Sequence, residues 1–285
     1  MQNFNYHTHT YRCGHADYNL KDEDYVKLFI QKGFRKIAFT DHMPDKSGTD
    51  TRKRMRMDYS QKDEYLNSIK YLKEKYKDII DIETGFEIEF LPGQEQNLLE
   101  LKKEVDKLVL GQHFIYEDGN NRLKIFRYQD FSHEDLLKYA SYIVKAMELG
   151  IPDIIVHPDL FMLSRDSFTE KEAEVAHIIC KAAEKYDIPL EINLTEANLL
   201  LIGKREKITY PCKEFWNIVK DYNIKVLYGV DAHYESQIIN YEKSIEIVNN
   251  LIGNEIIEKL NFIGNVNENK IPDSIKNIRL SMDRF

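Results

Sequence analysis

Apolar, β-branched runs alternate with amphipathic stretches along most of the chain, and this alternation predicts its elements. Strands are predicted at Phe4–Thr10, Lys36–His42, 79–90, Lys107–His113, Asp153–Pro158, Pro189–Leu194 and Lys225–His233. Between them, 3.6-residue periodicity predicts helices from about Asp22 to Gln31, Ser60 to Lys77, beyond Pro92-Gly93, Ser132 to Gly150, Thr169 to Tyr186, Phe215 to Asp221, and onward from Ser236. Asp22, Glu23 and Asp24 suit the positive end of the first helix and Gly33 its C-terminal cap. Thr169 with Glu172 forms a capping box. Seven repeated β-α pairs imply a parallel sheet covered by helices. The expected fold is α/β, a distorted seven-stranded (β/α) barrel of the TIM-barrel type, as one domain over residues 1–285. An open doubly wound sheet is the competing arrangement, but it binds ligands at one crevice, whereas titratable residues end at least six of these strands.

Composition narrows the class. Hydrophobic residues at 42% and charged residues at 31% describe a globular chain, and no apolar run is long enough to span a bilayer. The opening Met-Gln-Asn-Phe-Asn-Tyr has neither a basic nor an apolar signal region, so a cytoplasmic protein without a membrane partner is expected. Cys13, Cys180 and Cys212 have no Cys-x-x-Cys spacing and read as free thiols. A net charge of −8 argues against a nucleic-acid partner, and the dense basic run, Lys46 to Arg56, reads as a solvated loop. Oligomeric state and the role of residues 254–285 are not legible.

The chemistry lies in the strand ends. Of nine histidines, seven fall at or just after them: His7, His9, His15, His42, His113, His157 and His233. Asp41, Glu87 and Asp231 occupy equivalent positions, whereas His133 and His177 belong to helices. His7-Thr8-His9 turns two imidazoles to one face of a strand. So many imidazoles exceed what one tetrahedral ion needs, so two or three ions are required to use them all. Nitrogen-rich ligation suits Zn, Mn, Fe or Co better than Mg or Ca. Glu87 can bridge two ions through its two oxygens, and ions of this kind lower the pKa of bound water, which makes hydrolysis the natural chemistry.

Together, His7-Thr8-His9 with His15, Thr40-Asp41-His42, Gly85-Phe86-Glu87, Gln112-His113, Val156-His157-Pro158 and Gly229-Val230-Asp231-Ala232-His233 resemble the polymerase-and-histidinol-phosphatase (PHP) metal-dependent phosphoesterases. Arg54-Met55-Arg56-Met57 and the strand from Gly85 to Phe90 are similar to the histidinol-phosphate phosphatase branch. The resemblance implies three divalent ions. The first would be held by His7, His9, Glu87 and Asp231, the second by bridging Glu87 with His113 and His157, and the third by His15, His42 and His233. Cys13 lies inside the ligand loop, yet the set is complete without it, and Glu89 reads as a supporting residue. The implied reaction is hydrolysis of L-histidinol phosphate, a small phosphomonoester, to L-histidinol and phosphate in histidine biosynthesis. Other readings are a phosphotyrosine phosphatase, a nucleotide or DNA phosphoesterase, and a non-catalytic metal-binding regulator. Asp41 is the candidate proton donor or orienting group, and Arg165 and Arg205 are candidates for gripping the phosphate on overhanging loops.

Overall fold

The computed structural model describes residues 1–46, 55–117, 123–126 and 130–266. Arg52-Lys53-Arg54 and the tail from 267 onward lie outside the described residues. The strands are β1 (Phe4–Asn5), β2 (Lys36–His42), β3 (Asp81–Ile88), β4 (Lys107–Leu110), β5 (Phe114–Tyr116), β6 (Leu123–Ile125), β7 (Ile154–Ile155), β8 (Leu190–Asn193), β9 (Lys225–Gly229) and β10 (Asn261–Phe262). The helices are α1 (Asp22–Gln31), α2 (Lys62–Tyr76), α3 (Glu95–Glu104), α4 (His133–Glu148), α5 (Glu170–Tyr186), α6 (Thr195–Leu201), α7 (Lys213–Val219), α8 (Glu235–Ile239), α9 (Tyr241–Ile252) and α10 (Asn254–Ile257).

One curled parallel sheet runs in the order β1-β2-β3-β4-β7-β8-β9-β10, with helices around it. The expectation of seven strands is corrected to eight. The eighth, β10, pairs Asn261 and Phe262 with Lys225 and Val226, and two residues are too few to leave a periodic signal. β5 and β6 form a separate antiparallel hairpin that the sequence pattern also did not predict.

Side-chain amides join the β1 end of the sheet to β9. Gln2 Nε2 donates to the Tyr228 carbonyl (2.7 Å) while its Oε1 accepts from Tyr228 N (3.0 Å). Asn5 Oδ1 accepts from Val230 N at 2.9 Å. Higher up, His9 N donates to Ala232 O at 2.9 Å, and Thr8 and Ala232 form an isolated parallel bridge. Backbone groups that a strand would pair are thus satisfied by side chains, which closes the sheet at its C-terminal mouth.

The helices form where their caps and apolar stripes dictate. Ser132 accepts from Asp135 N to start α4, and Thr169 with Glu172 completes the expected box on α5. One large core fills the space between helices and sheet. A small plug of Phe4, Val109, Ile154, Val156 and Leu227 fills the barrel floor, beneath the mouth. The strands end earlier than the apolar runs suggest. His157 (φ 32°) and Asp231 (φ 50°) adopt left-handed backbone just past β7 and β9, a costly conformation for residues other than glycine that turns their side chains out of the ladder.

Candidate metal centre

All nine predicted ligand residues meet at the C-terminal mouth. His7 Nε2, His9 Nε2, Glu87 Oε2 and Asp231 Oδ1 crowd together. His9 Nε2 is 3.1 Å from both His7 Nε2 and Asp231 Oδ1 and 3.4 Å from Glu87 Oε2. His7 Nε2 is 3.4 Å from Asp231 Oδ1 and 3.7 Å from Glu87 Oε2. A tetrahedron with bonds of about 2.1 Å has edges of about 3.4 Å, so these atoms stand where four ligands of one divalent ion stand.

The other oxygen of Glu87, Oε1, lies 2.9 Å from His157 Nε2 and 3.7 Å from His113 Nε2. His15 Nε2 and His233 Nε2 are 2.8 Å apart, and the His15 and His42 rings are 5.3 Å apart. His42 Nδ1 approaches Glu87 Oε2 at 2.9 Å. Donor atoms of His9, His42 and His233 lie within 4.8 Å of one another, as do those of Cys13, His15 and His233.

The chemistry of this cluster fits divalent cations. Glu87 Oε2 and Asp231 Oδ1 are buried without a hydrogen bond despite the nitrogens around them, and buried charge of this kind is stable when it is paired or coordinates metal. Burial opposes a charge on His9, yet Asp231, Asp41 and Glu87 pull it up to about 9, so positive charge is favoured at this point. Burial and the imidazoles of His42 and His9 bring His15 down to about 4, and burial with His9 and His15 lowers His233 well below its ordinary value. Those rings therefore stay neutral, the form that ligates.

A second ring of acceptors turns the Nε2 lone pairs inward. His7 Nδ1 donates to both oxygens of Glu191 (3.1 and 3.0 Å), His113 Nδ1 to Glu89 (3.1 Å), and His233 Nδ1 to the Asp231 carbonyl (3.0 Å). Arg56 Nη2 holds Glu89 at 3.2 Å, and Asn193 and Thr195 donate to Asp231 Oδ2. Glu191 is absent from the predicted site. The available signal was a carboxylate within the apolar run Leu190-Glu191-Ile192, which must find a partner once buried. Glu191→Gln keeps an acceptor and removes the charge, and is expected to weaken metal binding roughly 10- to 100-fold, read by competition with a chromogenic chelator.

Glycines make the room. A Cβ on Gly111 would stand 1.8 Å from Glu87 Oε1, and one on Gly229 would stand 2.0 Å from the Glu191 carboxylate.

Three predicted residues are placed differently from the ligands. Asp41 is fully buried, accepts from Thr10 N (3.1 Å), the Thr10 hydroxyl and His42 N (2.8 Å), and faces His9 Nδ1 at 3.6 Å. It does not border the cavity over the centre. Neither arginine lines the cavity. Arg165 donates to Glu172 Oε1 (2.7 Å) and Phe131 O (2.9 Å), and Arg205 stands 3.9 Å from Glu196. Both sit on segments that supply wall residues, Leu163 before Arg165 and Leu199, whose carbonyl accepts from Arg205 N.

The cavity over the centre measures about 410 Å³. Its floor is the histidine and carboxylate cluster, and its walls include Met55, Ile125, Phe126, Leu160, Leu163, Leu199 and Tyr210.

Fold and site together define a TIM-like α/β barrel with a candidate metal centre at its mouth. Residues 5–195 match the PHP domain model, and the chain belongs to the PHP family. It is related to histidinol phosphatases. It is 24% identical to the histidinol-phosphatase of Bacillus subtilis, over 86% of this chain and 99% of that protein. It is 28% identical to a probable histidinol-phosphatase of Deinococcus radiodurans, over 54% of this chain and 59% of that relative, so the match spans about three fifths of its length. Its fold is similar to that of a histidinol phosphate phosphatase from Lactococcus lactis, whose structure contains Zn, L-histidinol and phosphate (TM-score 0.60, 19% identity, 87% of this chain and 94% of that one). Among the described residues no helix is long and apolar enough to cross a membrane.

Proposed function

We propose that this chain is a metal-dependent phosphomonoesterase that hydrolyses L-histidinol phosphate to L-histidinol and phosphate. The observation that carries the reading is the convergence of nine nitrogen and carboxylate ligand residues beneath a small-molecule cavity of about 410 Å³. The Lactococcus relative, with zinc, L-histidinol and phosphate bound, supports the substrate.

In this reading His7, His9, Glu87 and Asp231 hold one ion, Glu87 with His113 and His157 a second, and His15, His42 and His233 a third. Bound divalent ions of the Zn, Mn, Fe or Co type supply Lewis acidity to the phosphoryl oxygens and a lowered pKa to water. Glu191 and Glu89 keep His7 and His113 in the ligating tautomer, and Asp41 orients His9. The apolar walls exclude bulk water and so strengthen each electrostatic contact within. Arg165 and Arg205 would reach the free phosphate oxygens by turning in from Glu172 and Glu196, and replacing either with Met is then expected to lower kcat/KM for phosphomonoesters roughly 10- to 100-fold. Unchanged kinetics in both variants would remove them from the site.

Phosphate release from histidinol phosphate, sugar phosphates, a phosphotyrosine peptide and single-stranded DNA, before and after chelation, tests the whole reading. Turnover of histidinol phosphate is expected, with loss on metal stripping and recovery on adding Zn or Mn. Full activity in stripped protein would overturn the metal mechanism. Preference for the peptide or DNA would overturn the substrate, and metal binding without any turnover would favour the regulator.

A further inference from the structure

His15 is held differently from the other ligand residues. Those lie on a strand or within four residues of a strand's C-terminal end, whereas His15 comes ten residues after β1. Its place is therefore set by whatever anchors the loop that carries it. That loop is one 3-10 turn, Tyr11–Cys13, capped by Thr10 and ended by Gly14 in left-handed backbone (φ 78°).

At the centre of the turn stands Arg12, only 5% exposed. Its Nη1 and Nη2 donate to Asp22 Oδ1 (2.8 Å) and Oδ2 (2.9 Å), and its Nε and Nη2 donate to Glu64 Oε2 (2.7 Å) and Oε1 (2.8 Å). Asp22 opens α1, and Glu64 lies in the first turn of α2. Ser68 on α2 also donates to Asp22 Oδ2 at 2.5 Å. Two bidentate forks on one guanidinium are a geometry that arginine provides and lysine does not. Nη1 further donates to Thr10 Oγ1 (3.3 Å), the hydroxyl that donates to Asp41 beside His9. On the opposite side the Tyr234 hydroxyl holds the His15 carbonyl at 2.8 Å.

We infer that Arg12 is a positioning residue for one ion of the centre: it clamps the His15 loop to α1 and α2 and thereby completes the His15, His42 and His233 set. This rests on the reading that those three imidazoles hold a third ion. Arg12 donates to none of the nine ligand residues and does not line the cavity, so its loss should affect one ion selectively, whereas a purely structural role would lower thermal stability and spare the metal ratio.

The test is metal stoichiometry and affinity, by equilibrium dialysis against Zn and Mn with elemental analysis, in wild type, Arg12→Lys and Glu64→Ala. Arg12→Lys keeps a cation against Asp22 but cannot form both forks. Wild type is expected to bind three ions. Arg12→Lys is expected to retain two at wild-type affinity and to bind the third at least tenfold more weakly. Glu64→Ala removes the outer fork from a side chain that is 59% exposed, and is expected to weaken the same ion by a smaller factor. If Arg12→Lys fails to fold, Glu64→Ala decides. Three ions at wild-type affinity in the folded variants, or equal weakening of all three, would overturn the inference. Two ions in wild type would reject the trinuclear reading and the inference with it, a result distinct from loss in the variants alone.

Discussion

Glu87→Ala is expected to remove at least two bound ions and to lower phosphatase turnover by about a thousandfold or more, since several kcal/mol of charge stabilisation depend on them. Glu87 faces two donor groups at once, with Oε2 toward His7 and His9 and Oε1 toward His157 and His113. Burial disfavours its charge, but His42, His113 and His7 outweigh burial and hold its carboxyl well below the usual carboxylate range. Removing it leaves the surrounding imidazoles with one counter-charge fewer and no shared oxygen. Elemental analysis of purified protein beside a phosphate-release assay checks the result. Glu87→Gln, equal in volume, separates loss of charge from loss of packing. Full metal content in both variants would exclude Glu87 as a bridge.

Gly111→Ala is expected to be nearly as damaging, although it alters no ligand. The added methyl would stand 1.8 Å from Glu87 Oε1, 2.8 Å from the Glu87 carboxyl carbon and 2.8 Å from His157 Cε1. Glu87 is 1% exposed and His157 2%, so the methyl must displace buried groups of the cluster. Overpacking of a tight site costs about 1–3 kcal/mol, and here the displaced group is the Glu87 carboxylate between the two donor groups. Metal affinity is expected to fall at least about 100-fold, which corresponds to about 2.7 kcal/mol, with a lower Tm in metal-free protein. Titration with a fluorescent zinc indicator and a thermal melt test both. Wild-type affinity would mean that the β3-β4 register relaxes to admit the methyl.

Most of the site was legible because strands impose a two-residue period. His7 and His9 share a face wherever a strand forms, and a ligand just past a strand's end reaches the mouth of any parallel barrel. Helix ends were legible for a similar local reason: Ser132 and Thr169 cap α4 and α5 through atoms three residues away. Less legible was whatever depends on a distant partner. The amides of Gln2 and Asn5 look like ordinary polar residues until Tyr228 and Val230 are beside them. Glu191 reads as an interruption in a strand until His7 is found at 3.0 Å. Arg165 and Arg205 follow segments that supply wall residues, but the direction of a long side chain depends on neighbours such as Glu172 and Glu196.

The sequence by itself determined the alternation of elements, the choice of donor atoms and hence the class of chemistry, because hydrophobic period and ligand type are local properties. Tertiary structure decided which donors meet. Asp231 and His233 fall outside the stretch that matches the family model, yet the seam between β1 and β9 brings Asp231 to 3.1 Å from His9. That proximity comes from closing the sheet, where Thr8 meets Ala232 across more than two hundred residues of chain, and no local pattern encodes a contact between segments so far apart in sequence.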